Sequence, residues 1–149
     1  MYQYFSSKEE IILLSLQLKL QSLLPYQQIL TDSNFNHVER YRNFLEFVAA
    51  HISDTSSLFL EDLQEEYQPI WELVDQFLNQ LLKVCEKFYE EAIEAEVFEA
   101  RSTVLLLQTD RHFIFGLLMN PSFLRENNLT LSELTIQYLE LRLNGLLKR

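Results

Sequence analysis

Few residues of this chain have the types and spacings that chemistry demands. Its three histidines, His37, His51 and His112, lie far apart in sequence. None sits in the Glu-x-x-His pairing of a carboxylate-bridged di-iron bundle. The single cysteine, Cys85, has no neighbours at metal-ligand spacing, so core packing is its expected use. There is no Gly-rich phosphate loop and no Gly-x-Ser-x-Gly elbow. Asp110-Arg111-His112 is a charged patch inside an apolar stretch. Residues one and two apart on a helix do not face one another, which argues against a catalytic role. A salt-bridged interface patch is expected there, with His112 also a candidate to hydrogen-bond a ligand. The expectation is a protein that is not an enzyme and uses no metal or cofactor.

The aromatic residues are the other group with a chemical use. The chain has 11 Phe, 7 Tyr and one Trp. Tyr41, Phe44, Phe59, Trp71, Phe77, Phe88, Tyr89 and Phe113 could line an apolar pocket between helices. The same rings could instead fill the core, so the expected pocket is a firmer inference than any one of its residues.

The elements that would position these side chains are helical. A chain of 149 residues suffices for one domain with a real core. Its 48% hydrophobic content excludes disorder, and 2 Gly and 3 Pro are too few for the turns of a sheet protein. The fold expected is all-α, a single bundle of about six helices. No apolar run is long enough to span a membrane, and no secretion signal opens the chain. One cysteine fits a reducing cytoplasm. The formal charge is −10 and the pI about 4.7, so the bulk surface should not bind nucleic acid.

Periodicity places the first helix from about Ser7 to Leu24, ended by Pro25. Its apolar residues spread to nearly all sides, as in a helix packed between others. The second runs from Asn34 or Asn36 to His51 and the third from about Ser56 to Tyr67. The fourth starts at Pro69 and reaches about Ala95. The fifth spans about Ala100 to Met119, and a loop follows from Pro121 to Leu129. The sixth starts at the capping pair Thr130 and Glu133 and runs to about Leu147. Gly116 inside the fifth helix suggests close backbone approach.

Tyr2-Gln3-Tyr4-Phe5-Ser6-Ser7-Lys8-Glu9-Glu10 reads as the tail of one helix, a turn and the capped start of another. Ser7 with Glu10 forms a capping box, and Ser6 with Glu9 is an alternative frame. Free N–H groups at that start favour anions, Lys8 adds charge, and Tyr2 and Tyr4 offer hydroxyls. Such groups would contact phosphates without reading sequence. The stretch, followed by Ile11, Ile12 and Leu13, resembles the end of the DNA-reading head of TetR-type bacterial repressors. An aromatic helix ending Phe115-Gly116-Leu117-Leu118, a Pro loop, and a Leu-rich last helix ending Asn144-Gly145-Leu146-Leu147 resemble the same family. In one part the match is weak: Ala95-Glu96 stands where the family often carries Gly.

The resemblance implies that residues 1–5 are a remnant of a recognition helix and 6–149 a ligand-binding and dimerisation body. It implies a cytoplasmic homodimer through the last two helices, with Arg111, Phe115, Leu118, Ile136, Leu139 and Leu143 at the interface. Both helices look apolar on two faces, which fits burial against core and partner. A small apolar or amphipathic effector would bind inside, displace the first helix and alter the spacing of two heads on operator DNA. Tyr2, Tyr4 and Lys8 would be the remaining phosphate contacts. Two helices and most of a third would be missing before Tyr2, so this form should not bind operator alone. The alternative is a helical interaction module, an adaptor or chaperone-like dimer without a DNA role, with an exposed groove instead of a closed pocket.

Overall fold

The computed structural model describes residues 7–99 and 102–146. Among them the architecture is all-α, without a strand. The elements are α1 (Lys8–Leu23), α2 (Tyr26–Thr31), α3 (His37–His51), α4 (Ser57–Glu66), α5 (Gln68–Glu94) and α6 (Thr103–His112). A π-helical turn (Phe113–Leu118) extends α6, and α7 (Pro121–Glu126) and α8 (Leu131–Leu146) follow. No helix of the described residues is long and apolar enough to cross a membrane.

Local chemistry sets most boundaries. Ser7 caps α1 by accepting from the Glu10 N–H at 3.3 Å. Asn36 and Glu39 close a reciprocal capping box at the start of α3, and Thr130 accepts from the Glu133 N–H at 3.0 Å. Pro69 sits in the first turn of α5, where its missing N–H costs nothing. α5 ends in a Schellman motif: Glu96 N–H donates to the Ile93 carbonyl and Val97 N–H to that of Ala92, both at 3.0 Å. Glu96 takes φ 59° there. The turn needs the left-handed conformation, and the chain supplies it without a glycine.

Two short helices go beyond the six expected. Pro25 ends α1 and stands at the N-cap position of α2 without a capping side chain; Tyr26 and Leu30 of α2 are buried. α7 begins at Pro121, within the expected loop, and Asn120 caps it by accepting from the Phe123 N–H at 3.1 Å. Gly116 meets nothing within 4 Å where a Cβ would stand. The close approach expected of it is absent; the residue lies in the π-helical turn.

α3 packs on α8 and α2, α5 on α6 and α4, α4 on α7, and α1 on α3 and α5. The main core gathers Tyr41, Phe44, Phe88, Tyr89 and Phe98 with leucines of α8. A smaller one joins Leu16 of α1 to Leu63, Ile70 and Val74. α1 is not buried all round. Leu16 and Leu23 point inward, whereas Ile11, Leu14 and Leu18 are 49, 41 and 59% exposed.

Candidate functional site: an apolar cavity beside a buried polar cluster

A cavity of about 450 Å³ lies where the two cores meet, within the range of small-molecule sites. α1 contributes Leu16, Leu20 and Leu23, and α3 contributes Val48 and Ile52. Phe59, Leu60 and Leu63 of α4 face Val74, Phe77, Leu78 and Leu81 of α5. Tyr26, Leu118, Met119 and Leu131 complete the wall. The helices leave this space because the apolar side chains of α1, α4 and α5 end before they meet. Water in such a lining would find few polar partners, so a cavity of this kind favours an apolar guest.

The polar lining is confined to one side. Ser15 and Lys19 come from α1, and Asp54, Thr55 and Ser56 from the turn between α3 and α4. Ser15, Asp54 and Ser56 are exposed, which places the mouth there. Lys19 Nζ donates to the His51 carbonyl at 2.8 Å and to Asp54 Oδ1 at 2.6 Å. The hydrogen bond and charge of Lys19 hold the Asp54 carboxyl below the usual carboxylate range. Both helix α1 and the α3–α4 turn are thereby tied across the opening.

A second space of about 70 Å³ lies deeper. Val48, Leu78, Leu81 and Leu118 line both spaces and form the partition between them. Around the inner one, α3, α5, α6 and α8 meet in a polar cluster. Asp110 accepts from the hydroxyls of Tyr89 and Tyr138 and pairs with Arg142. Arg142 also donates to the Tyr138 hydroxyl at 2.9 Å and the Leu106 carbonyl at 2.7 Å. Tyr41 and Tyr89 share a hydrogen bond at 3.3 Å. Asp110 and Arg142 are both buried. Burial pushes the Tyr41 and Tyr89 phenols and the Cys85 thiol upward, and the Asp110 charge adds to each rise. Among the described residues no buried side-chain polar atom lacks a partner. The cluster is complete without a ligand, so its observed role is to bind four helices together.

The aromatic residues expected at a pocket divide between these features. Phe59 and Phe77 line the large cavity, and Tyr41, Phe44 and Phe113 the small one. Phe88 packs among Tyr41, Tyr89 and Phe98 in the core. Trp71 packs against both cores without lining either space. His112 is exposed and lines neither space.

The expected interface residues are also split. Leu118, Leu139 and Leu143 are buried in the chain's own core. They lie on the inward arc of their helices with Leu134 and Arg142. Phe115 and Ile136 are half-buried and Arg111 is exposed, donating to Asn79 at 2.9 Å. Asp110, expected in a salt-bridged interface patch with Arg111 and His112, turns inward and pairs with Arg142 within the chain. Lys8 is exposed in the first turn of α1. Tyr2 and Tyr4, with the whole segment 1–5, lie outside the described residues.

Sequence reasoning missed Lys19, Asp110 and Arg142 as site residues. Leu106, Asp110, Phe113 and Ile114 share one helical stripe, as do Leu131, Leu134, Thr135, Tyr138 and Arg142. One acid on one apolar stripe and one base on another was the available signal. Among the described residues no group of His, Cys, Asp and Glu is placed to hold a metal ion. Comparison of the chain with protein-family models, curated proteins and solved structures found no match in any of the three.

Proposed function

We propose that the chain is the effector-binding body of a TetR-like transcriptional regulator, with the large cavity as its effector site. The observation that carries this reading is the position of α1. It forms one wall of the cavity through Leu16, Leu20 and Leu23. In the family that the sequence resembles, this helix joins the body to the DNA-reading head. An apolar guest that fits better with α1 displaced shifts the chain toward that state, by no more than its difference in affinity for the two. In a dimer, the two recognition helices must stand about 34 Å apart to engage one face of DNA. Movement of α1 changes that spacing.

The test is saturable binding of the neutral apolar dye N-phenyl-1-naphthylamine, read by its emission. One dye per chain is expected. Leu78→Trp, which fills the partition side of the cavity, should weaken binding at least tenfold while circular dichroism stays unchanged. Leu60→Phe is the second filling variant. Unchanged dye affinity in both folded variants would remove the effector site from the account.

One observation favours the interaction-module reading. Ile11, Leu14 and Leu18 form an outward row on α1, about one turn apart. A partner helix lying on that row would cover it. That reading predicts no response of α1 to a cavity ligand.

A further inference from the structure

We propose that the cavity takes a single-chain amphiphile bearing one carboxylate, with the carboxylate at Lys19 and the tail inside. The proposal rests on the reading of the large cavity as a ligand site and names the chemistry of its guest. Among the described residues Lys19 and Asp54 are the only charged ones in the lining, and both stand at the mouth. The interior beyond them is built from leucine, valine and aromatic side chains. An acceptable guest therefore has one polar end and an extended apolar one.

The sign of the polar end follows from how the two charges are held. Lys19 is anchored: its side chain is 29% exposed, and its ammonium donates to the His51 carbonyl. An ammonium has three donors, and the His51 carbonyl and Asp54 take two. Asp54 is 74% exposed, and besides Lys19 its carboxylate accepts from its own backbone N–H. An exposed pair of this kind contributes little, because water competes for both ends. Asp54 can swing into solvent at small cost, and a ligand carboxylate takes its place with the third donor also at hand. A cationic head would meet an exposed carboxylate that Lys19 already neutralises, and would stand beside the Lys19 ammonium, whose stem is part of the cavity wall. The mouth exchanges one carboxylate for another.

Dodecanoate, dodecanol and dodecyltrimethylammonium, each below its micellar concentration, are titrated against dye-loaded protein. Dodecanoate should displace the dye at least tenfold more tightly than the cationic amphiphile. Lys19→Met should remove the preference for dodecanoate over dodecanol while leaving dodecanol affinity within threefold. Asp54→Asn should tighten dodecanoate two- to fivefold. Shortening the acid should weaken it about fourfold per methylene.

If dodecanol and dodecanoate bind equally in the parent and in Lys19→Met, the carboxylate assignment is overturned and the cavity remains a ligand site. If the cationic amphiphile binds tightest, the head is assigned to the wrong charge. If none displaces the dye and Leu78→Trp leaves dye binding unchanged, the ligand site itself fails. Lys19→Gln repeats the test should Lys19→Met not fold.

Discussion

At the scale of single residues, Glu96 and Gly116 make opposite departures from helix rules. Glu96 occupies the left-handed position after α5, with φ 59°. A residue with a Cβ is strained there by about 1–2 kcal/mol. Glu96→Gly is expected to raise stability by about 1 kcal/mol, or roughly 3 °C in Tm. Gly116 takes no positive φ and faces open space. Gly116→Ala should stabilise by up to about 1 kcal/mol by restricting the unfolded chain. Thermal unfolding of the two variants checks both signs.

Cys85 carries a pH dependence. Burial among apolar side chains, then the Asp110 charge, hold its thiol far above the usual range. Unfolded, the thiol titrates near about 8.5. Its contribution to stability is full below that pH. Above it the unfolded chain releases a proton that the folded chain keeps, so stability falls by about 1.4 kcal/mol per pH unit. Tyr41 and Tyr89, raised by burial in the same way, add to the fall above about pH 10. Urea midpoints from pH 7 to 10.5 should show the decline, and Cys85→Ala should flatten the part below pH 10.

At the scale of elements, the Asp110–Arg142 pair joins α6 to α8 and draws in α3 and α5 through tyrosines. Removing one partner of a buried pair strands the other charge and costs about 3–5 kcal/mol. Asp110→Ala should lie in that range, because Arg142 would lose its anion and keep neutral partners, the Tyr138 hydroxyl, the Leu106 carbonyl and the Tyr89 and Tyr138 rings. Arg142→Met should cost less, since Asp110 keeps the Tyr89 and Tyr138 hydroxyls. The double variant should be more stable than Asp110→Ala alone, a coupling that a urea double-mutant cycle measures. Additive losses would mean that the pair does not act as a unit.

The same cluster shows where sequence reading ended. The long helices were legible because their apolar residues recur at helical spacing and two of their caps are explicit, at Ser7 and Thr130; the Asn36–Glu39 box of α3 was not read. α2 and α7 are six residues each, too short to show a period. Asp110 and Arg142 were unreadable as a pair because their attraction depends on the packing of α6 against α8, not on spacing in either helix. The two apolar faces of α8 pointed to a partner. In the fold, Leu131, Leu134, Tyr138, Leu139 and Leu143 turn toward the chain's own core, leaving Leu141 71% exposed.

At the scale of the whole molecule, the cavity is a property of packing and not of any motif. Phe59 and Phe77 were among the expected lining residues, yet most of the wall is leucine and valine from six separate segments. No periodicity distinguishes a leucine that faces empty space from one that faces another leucine. Lys19 was hidden for the same reason: it sits at the mouth only because the α3–α4 turn reaches α1. The surface apolar residues Val104 and Leu105 on α6 and Leu141 on α8 are 68, 62 and 71% exposed. Leu118, Leu139 and Leu143 on the same stretches are buried.

If α1 couples the cavity to a DNA-reading head, occupancy of the cavity is felt along the whole helix. Hydrogen exchange of the α1 amides, with and without saturating N-phenyl-1-naphthylamine, tests it most directly. A change of at least tenfold is expected that extends to the Lys8 end, about two turns from Ser15 and three from Lys19 at the mouth. Protection confined to residues 15–20 and the cavity floor, with the start of α1 unaltered, would contradict it.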